Sequence, residues 1–108
     1  MSGYPINVDQ IISWFRSKAG SLKETGTTLA DIHANTANVP SARADFDTDS
    51  KIGRIMFWAT GEVDFEVLRR SDGGFALFRH ESVLSLQTAE LDYAYDEFVN
   101  AMRSTTAE

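Results

Sequence analysis

The strongest constraint on the fold is the stretch from Ile55 to Leu68, where two strand-like runs are joined by Thr60 and Gly61. In the second run, apolar and acidic residues alternate strictly. Successive strand side chains point to opposite faces, so the two kinds of residue lie on opposite sides of a sheet. The apolar set is Val63, Phe65 and Val67, and the acidic set is Glu62, Asp64 and Glu66. The pattern predicts a β-hairpin with one buried face and one acidic face.

Helical patterns flank this hairpin at both ends of the chain. Asn7 and Gln10 stand at the two positions of a capping box, and Gly26 is a natural helix stop. Thr88 can cap a second helix near the C-terminus. Apolar residues recur at helical spacing in both segments, at Ile11, Phe15 and Leu22 and at Leu91, Tyr95, Phe98, Val99 and Met102. Each helix is therefore expected to bury one side.

Further strands are predicted on both sides of the hairpin. Residues 42–47 alternate clearly, residues 28–35 alternate weakly as in a short edge strand, and residues 75–80 return after a turn at residues 71–74. The expected fold is α+β: an N-terminal helix, a four- to five-stranded antiparallel meander sheet and a C-terminal helix, with both helices packed on one sheet face. We expect a single domain over residues 1–108, ordered between about residues 5 and 103, with a frayed tail at 104–108.

Charge and composition limit the classes of partner. The 16 acidic and 10 basic residues give a formal net charge of -6, which disfavours direct binding to nucleic acid or anionic lipid. The same charge favours a basic protein partner, although a role in solubility alone would also explain it. The chain has no cysteine and no apolar run of the roughly 20 residues that a membrane span needs. We therefore expect a cytoplasmic protein that does not enter membranes.

No catalytic residue, metal site or cofactor site is predicted from the motifs. His33 and His80 lie in no metal-ligand or nucleophile motif. The alternating acids at residues 45–49 lack the glycine and glutamate of a calcium loop, and residues 72–74 are typical of a hairpin turn. A small enzyme that uses His80 with Arg79 and Glu81 is the remaining catalytic alternative, and it requires a deep pocket lined by all three.

The acidic face is the candidate for partner binding. Trp58 and Met56 are expected to point to the same side as the acids, and an exposed Trp beside carboxylates is typical of a binding hot spot. Two other interpretations remain, a plain solvated face and a face covered by a loop. The first candidate partner-binding residues are Trp58, Glu62, Asp64 and Glu66. The next candidates, on the last helix, are Asp92, Tyr93 and Asp96.

The order of elements and the run from residue 52 to residue 68 resemble the small bacterial immunity proteins of the TriTu type. The resemblance is carried by Gly53, Ile55, Trp58, Gly61, Asp64, Glu66 and Val67. It implies a non-enzymatic antitoxin that binds and neutralises a cognate secreted toxin of a polymorphic toxin system by occluding its active site or substrate groove. The alternative is an adaptor or chaperone-like module of a secretion system, which would bind several unrelated effectors.

Overall fold

The described part of the chain forms five strands and two α-helices, with one short 3-10 helix after the first α-helix. The structure is a computed structural model, which describes residues 3–36 and 38–103. Its elements are α1 (Val8–Leu22), a short 3-10 helix (Lys23–Thr25), β1 (Thr28–Asn35), β2 (Ser41–Asp47), β3 (Lys51–Trp58), β4 (Glu62–Arg69), β5 (Phe75–Ser82) and α2 (Ala89–Arg103). All five strands form one antiparallel sheet in the order β1-β2-β3-β4-β5, which confirms the predicted meander. The predicted fraying of residues 104–108 lies outside the described residues.

Local side-chain signals set the starts of both helices as predicted, whereas α1 ends at Leu22 and the 3-10 helix, which ends at Thr25, leads to the predicted stop at Gly26. The Gln10 backbone N–H donates to Asn7 Oδ1 at 2.8 Å, and the Asn7 N–H donates to Gln10 Oε1 at 3.2 Å. This reciprocal pair satisfies two backbone groups that the first helical turn leaves without partners. Beyond α1 the chain turns at Gly26, whose φ is +79°. At the start of α2, the Leu91 N–H donates to Thr88 Oγ1 at 3.3 Å.

The core lies between one face of the sheet and both helices. The Trp14 ring of α1 contacts Phe57 of β3 at a centroid distance of 5.8 Å. The Phe98 ring of α2 contacts Phe46 of β2 at 5.4 Å and Phe65 of β4 at 5.9 Å. Since these three strand residues are on the same side of the sheet, both helices pack on one face, as predicted. Trp14 is also buried, although it lies outside the apolar stripe predicted for α1.

Close packing of α2 on the sheet depends on a glycine in β3. A Cβ atom on Gly53 would lie 2.5 Å from the Met102 sulfur and 2.8 Å from the Phe98 ring. Both distances are far below van der Waals contact, so a larger residue there would force the Met102 and Phe98 side chains to shift. The nearby Lys51 is buried on the same side, and its Nζ donates to the Ala101 carbonyl at 2.8 Å near the end of the helix.

Each edge strand carries a bulge that changes which side chains face the helices. In β1 the pairing with β2 shifts at Ala30, so that Leu29 and Ile32 both point towards the core. This shift explains why the alternation in residues 28–35 is weak. In β5 the pairing with β4 shifts at Ala76, so that Phe75 lies opposite Leu68 on the face away from the helices. A bulge of this kind re-aims the side chains that precede it.

A candidate protein-binding surface on the open sheet face

The face of the sheet opposite the helices presents the alternate residues of all five strands. Within residues 3–36 and 38–103, no helix packs on this face, and we call it the open face. Strand pairing brings Met56 of β3 opposite Asp64 of β4, and Asp64 opposite His80 of β5. The predicted placement of Met56 and Trp58 beside the acids is therefore confirmed. Trp58 is half-buried, and no described loop removes it from solvent altogether.

Three of the predicted residues meet at one end of the open face. Trp58, Glu62 and Asp64 line a pocket of about 270 Å³ together with Val39, Thr60 and His80. We call these six residues the acidic pocket. The turn between β3 and β4 positions them, because Gly61 reverses the chain with a φ of +98°. Its backbone N–H donates to the Trp58 carbonyl at 2.9 Å, which closes the turn beside the pocket.

His80 links the two carboxylates of the acidic pocket. Its Nδ1 lies 2.5 Å from Asp64 Oδ1, and its Nε2 lies 3.8 Å from Glu62 Oε1. The Thr60 hydroxyl donates to Glu62 Oε2 at 3.2 Å. Asp64 is consequently less exposed than the sequence pattern implies, with 24% of its side chain accessible against 53% for Glu62. Of the two, Glu62 is the carboxylate that a partner could reach most directly.

Arginines form ion pairs with some of the acidic residues on the open face, so only part of this face is acidic. Asp45 pairs with Arg54 at 2.8 Å and with Arg43 at 3.4 Å, and Asp47 pairs with Arg70 at 2.8 Å. In the part of the chain that the structure describes, no arginine forms an ion pair with any of the three acids of β4. These acids are Glu62, Asp64 and Glu66. The prediction of a wholly acidic face, made from β4 alone, is corrected to an acidic region centred on that strand.

Glu66 lies on the open face but outside the acidic pocket. It is paired in register with Arg54 on one side and with Phe78 on the other. Beyond it, the open face ends in apolar side chains. Phe75 and Phe78 are 56% and 59% exposed, and their rings pack at a centroid distance of 5.5 Å. The sequence did not predict this pair, because regular alternation would have turned Phe75 towards the core and left Phe78 alone on the open face.

The three candidates on α2 form a separate surface on the helix side of the molecule. Asp92, Tyr93 and Asp96 are all exposed there. The Arg79 guanidinium lies 5.1 Å from the Tyr93 ring centre and is held by carboxylates from Glu97 and Glu81. The hydrogen bonds that the guanidinium donates to these carboxylates, that to Glu97 first, raise the pKa of Arg79. The structure therefore does not bring the α2 residues together with the acidic pocket.

The geometry separates the residues proposed for catalysis. His80 lies on the open face, whereas Arg79 and Glu81 point to the helix side of the same strand. A cavity of about 530 Å³ lies elsewhere, between α1 and the segment before α2. Among the described residues that line it, Asp9 is the one with an ionisable side chain. Among the described residues, no group of three or more candidate ligands could hold a metal ion. None of the described helices is long and apolar enough to cross a membrane.

One comparison with known proteins gives a match that covers most of the chain. A protein family described as "Immunity protein TriTu" matches residues 9–101. The matched region contains all five strands and nearly all of both helices, and therefore the whole open face. None of the curated proteins compared with the chain matches it.

Proposed function

The chain belongs to the TriTu family of immunity proteins, and from this membership we propose that it binds a cognate toxin and neutralises it. The toxin is a secreted effector of a polymorphic toxin system, and the chain protects the cytoplasm of the cell that makes it. Inhibition is by occlusion: the bound chain covers the active site or substrate groove of the toxin. No catalytic step by the chain is required.

The open face is the surface that we propose for this contact. The observation that carries the proposal is the acidic region of β4, whose carboxylates have no arginine partners among the described residues, next to the half-buried Trp58. None of these side chains is needed by the core, which is formed on the other face. An aromatic side chain ringed by polar groups is the common composition of a hot spot at protein interfaces.

The charge of the surface defines the chemistry of the partner. Glu62, Asp64 and Glu66 present negative charge along one strand, so the complementary toxin surface carries lysine or arginine. Domains that act on nucleic acids have such surfaces, because they must attract phosphates. A protein with a net charge of -6 that covers a basic groove competes there with the substrate.

Co-expression tests the proposed function itself. The adjacent upstream gene is expressed in a susceptible bacterium with and without this chain, and growth is measured. We expect the upstream product to be toxic through its C-terminal domain and the chain to restore growth. Toxicity that persists despite a folded chain contradicts the proposal, and so does a neighbouring gene that encodes no toxic domain.

Charge reversal tests the location of the contact. The double variant E62K/E66K alters the acidic region of β4, and D92K/D96K alters the exposed side of α2 by the same total charge. Because both variants shift the net charge equally, any difference in their affinity for the toxin reports local contacts rather than overall attraction. We expect E62K/E66K to lose at least about tenfold in affinity and D92K/D96K to lose less than about threefold. The reverse order would move the interface to α2.

A further inference from the structure

The open face carries an apolar region that the proposed acidic contact does not use. Its members are Ile52 of β3, Leu68 of β4, and Phe75 and Phe78 of β5, which we call the aromatic patch. Register pairs Ile52 with Leu68 and Leu68 with Phe75, and the Phe78 ring packs on that of Phe75, so the four side chains form one contiguous group. Three of them are strongly exposed, at 40% for Ile52, 56% for Phe75 and 59% for Phe78. Contiguous exposed apolar groups of this kind mark interaction sites on soluble proteins.

The bulge in β5 creates this patch. If Ala76 held a regular place in the strand instead of a bulge, alternation would place Phe75 on the same side as Leu77, facing the helices. With the bulge, both phenylalanines point to the open face and their rings pack together. Bulges at sheet edges commonly re-aim a side chain for a functional purpose. The fold thus exposes a large ring that it could have buried.

The aromatic patch is continuous with the acidic region. Phe78 is paired in register with Glu66, and His80, the next open-face residue of β5, is paired with Asp64. A partner that lies across β4 and β5 would contact both regions at once. The negative charge beside the patch, together with the net charge of -6, disfavours a second copy of this chain and favours a basic partner.

We propose that the aromatic patch anchors the toxin, which presents apolar side chains flanked by basic residues, while the acidic region of β4 steers its approach. The inference rests on the proposed function. Buried aromatic anchors dominate the lifetime of a complex, whereas complementary charges mainly raise the rate of encounter. The two regions of the open face therefore control different rate constants.

Binding kinetics separate these two roles. The probe is the purified C-terminal toxin domain encoded by the adjacent upstream gene, and its association and dissociation are measured at low and high salt. The variant F75T/F78T removes the rings and keeps residues that favour strands. We expect it to dissociate at least about 30-fold faster, with an association rate within about threefold of the original. E62K/E66K should instead associate more slowly and lose most of the salt dependence.

A matched control and a second variant keep the test decisive. Leu84 is 84% exposed and lies beyond the end of β5, so L84T removes an exposed apolar side chain outside the patch. We expect L84T to bind as the unaltered chain does. Circular dichroism and thermal unfolding check that F75T/F78T is folded, and F78T alone replaces it if the double variant is not.

Each outcome identifies which idea fails. If the unaltered chain binds the toxin domain and a folded F75T/F78T dissociates at the original rate, the anchoring role is wrong while the proposed function stands. If the unaltered chain does not bind the toxin domain at all, the proposed function fails first. If sedimentation shows that the unaltered chain dimerises and F75T/F78T does not, a second copy occupies the patch, and the assignment to the toxin is overturned.

Discussion

Gly61 is the residue whose identity the hairpin constrains most tightly. Its φ of +98° disfavours any side chain, and a Cβ atom there would lie 2.0 Å from the Val83 carbonyl oxygen. Gly73 has a similar φ of +72°, but a Cβ atom at that position would meet no atom within 4 Å. A comparison of Gly61 with Gly73 therefore separates the energetic cost of backbone strain from that of steric overlap.

Alanine substitution at both glycines measures the two effects by chemical denaturation. We expect Gly73→Ala to lower the free energy of unfolding by about 1 to 2 kcal/mol, from the unfavourable φ alone. Gly61→Ala should cost about 1 to 3 kcal/mol more, because the turn or the backbone at Val83, just beyond β5, must also shift. Equal costs for the two variants would show that the contact with Val83 relaxes freely.

Phe65 and Phe78 test the assignment of the two sheet faces. Phe65 is fully buried against α2, whereas Phe78 is 59% exposed on the open face. Truncation of the buried ring leaves a cavity, so Phe65→Ala should lower the free energy of unfolding by about 3 to 5 kcal/mol. Phe78→Ala should cost less than about 1 kcal/mol. Similar losses for both would contradict the face assignment.

At the scale of the element, the turn between β4 and β5 depends on the charge of Asp72. The Gly74 N–H donates to Asp72 Oδ1 at 2.8 Å, and Arg69 Nε lies 3.2 Å from the same oxygen. These interactions, that of Gly74 first, lower the pKa of Asp72 below its ordinary value of 3.8. Both favour the ionised carboxylate.

A pH titration tests this account of the turn. Because the pKa of Asp72 is lower in the folded chain, its stabilisation is complete above the unfolded pKa and is lost as the pH falls through the folded pKa. In an NMR titration, we expect the Asp72 carboxyl to titrate below 3.8 and Arg69→Gln to move its midpoint upward. A midpoint at or above 3.8 in the unaltered chain would contradict the hydrogen bonds described for the turn.

Regular elements were predictable from the sequence, and irregular ones were not. The capping box at Asn7, the helix start at Thr88 and the five strands follow from local signals that the tertiary structure does not oppose. The bulges at Ala30 and Ala76 depend on pairing with the neighbouring strand, which a strand's own alternation does not report. The prediction consequently placed the acids of β4 correctly and missed the exposed Phe75.

At the scale of the whole molecule, the sheet has two faces with different roles. One is covered by α1 and α2 and supplies the core, and the other carries the acidic region and the aromatic patch. The sequence predicted this division, but not the ion pairs of Asp45 with Arg54 and of Asp47 with Arg70, because those two pairs join residues on different strands or beyond the strand ends.

Hydroxyl-radical footprinting of the complex tests the central claim, that the open face binds the toxin. The oxidation rates of individual side chains are compared by mass spectrometry in the free chain and in the chain mixed with the proposed toxin domain from the adjacent upstream gene. We expect slower oxidation of Trp58, Phe75 and Phe78 in the complex, with no change at Tyr93 on α2. Protection of Tyr93, with the three open-face residues oxidised as in the free chain, would contradict the claim.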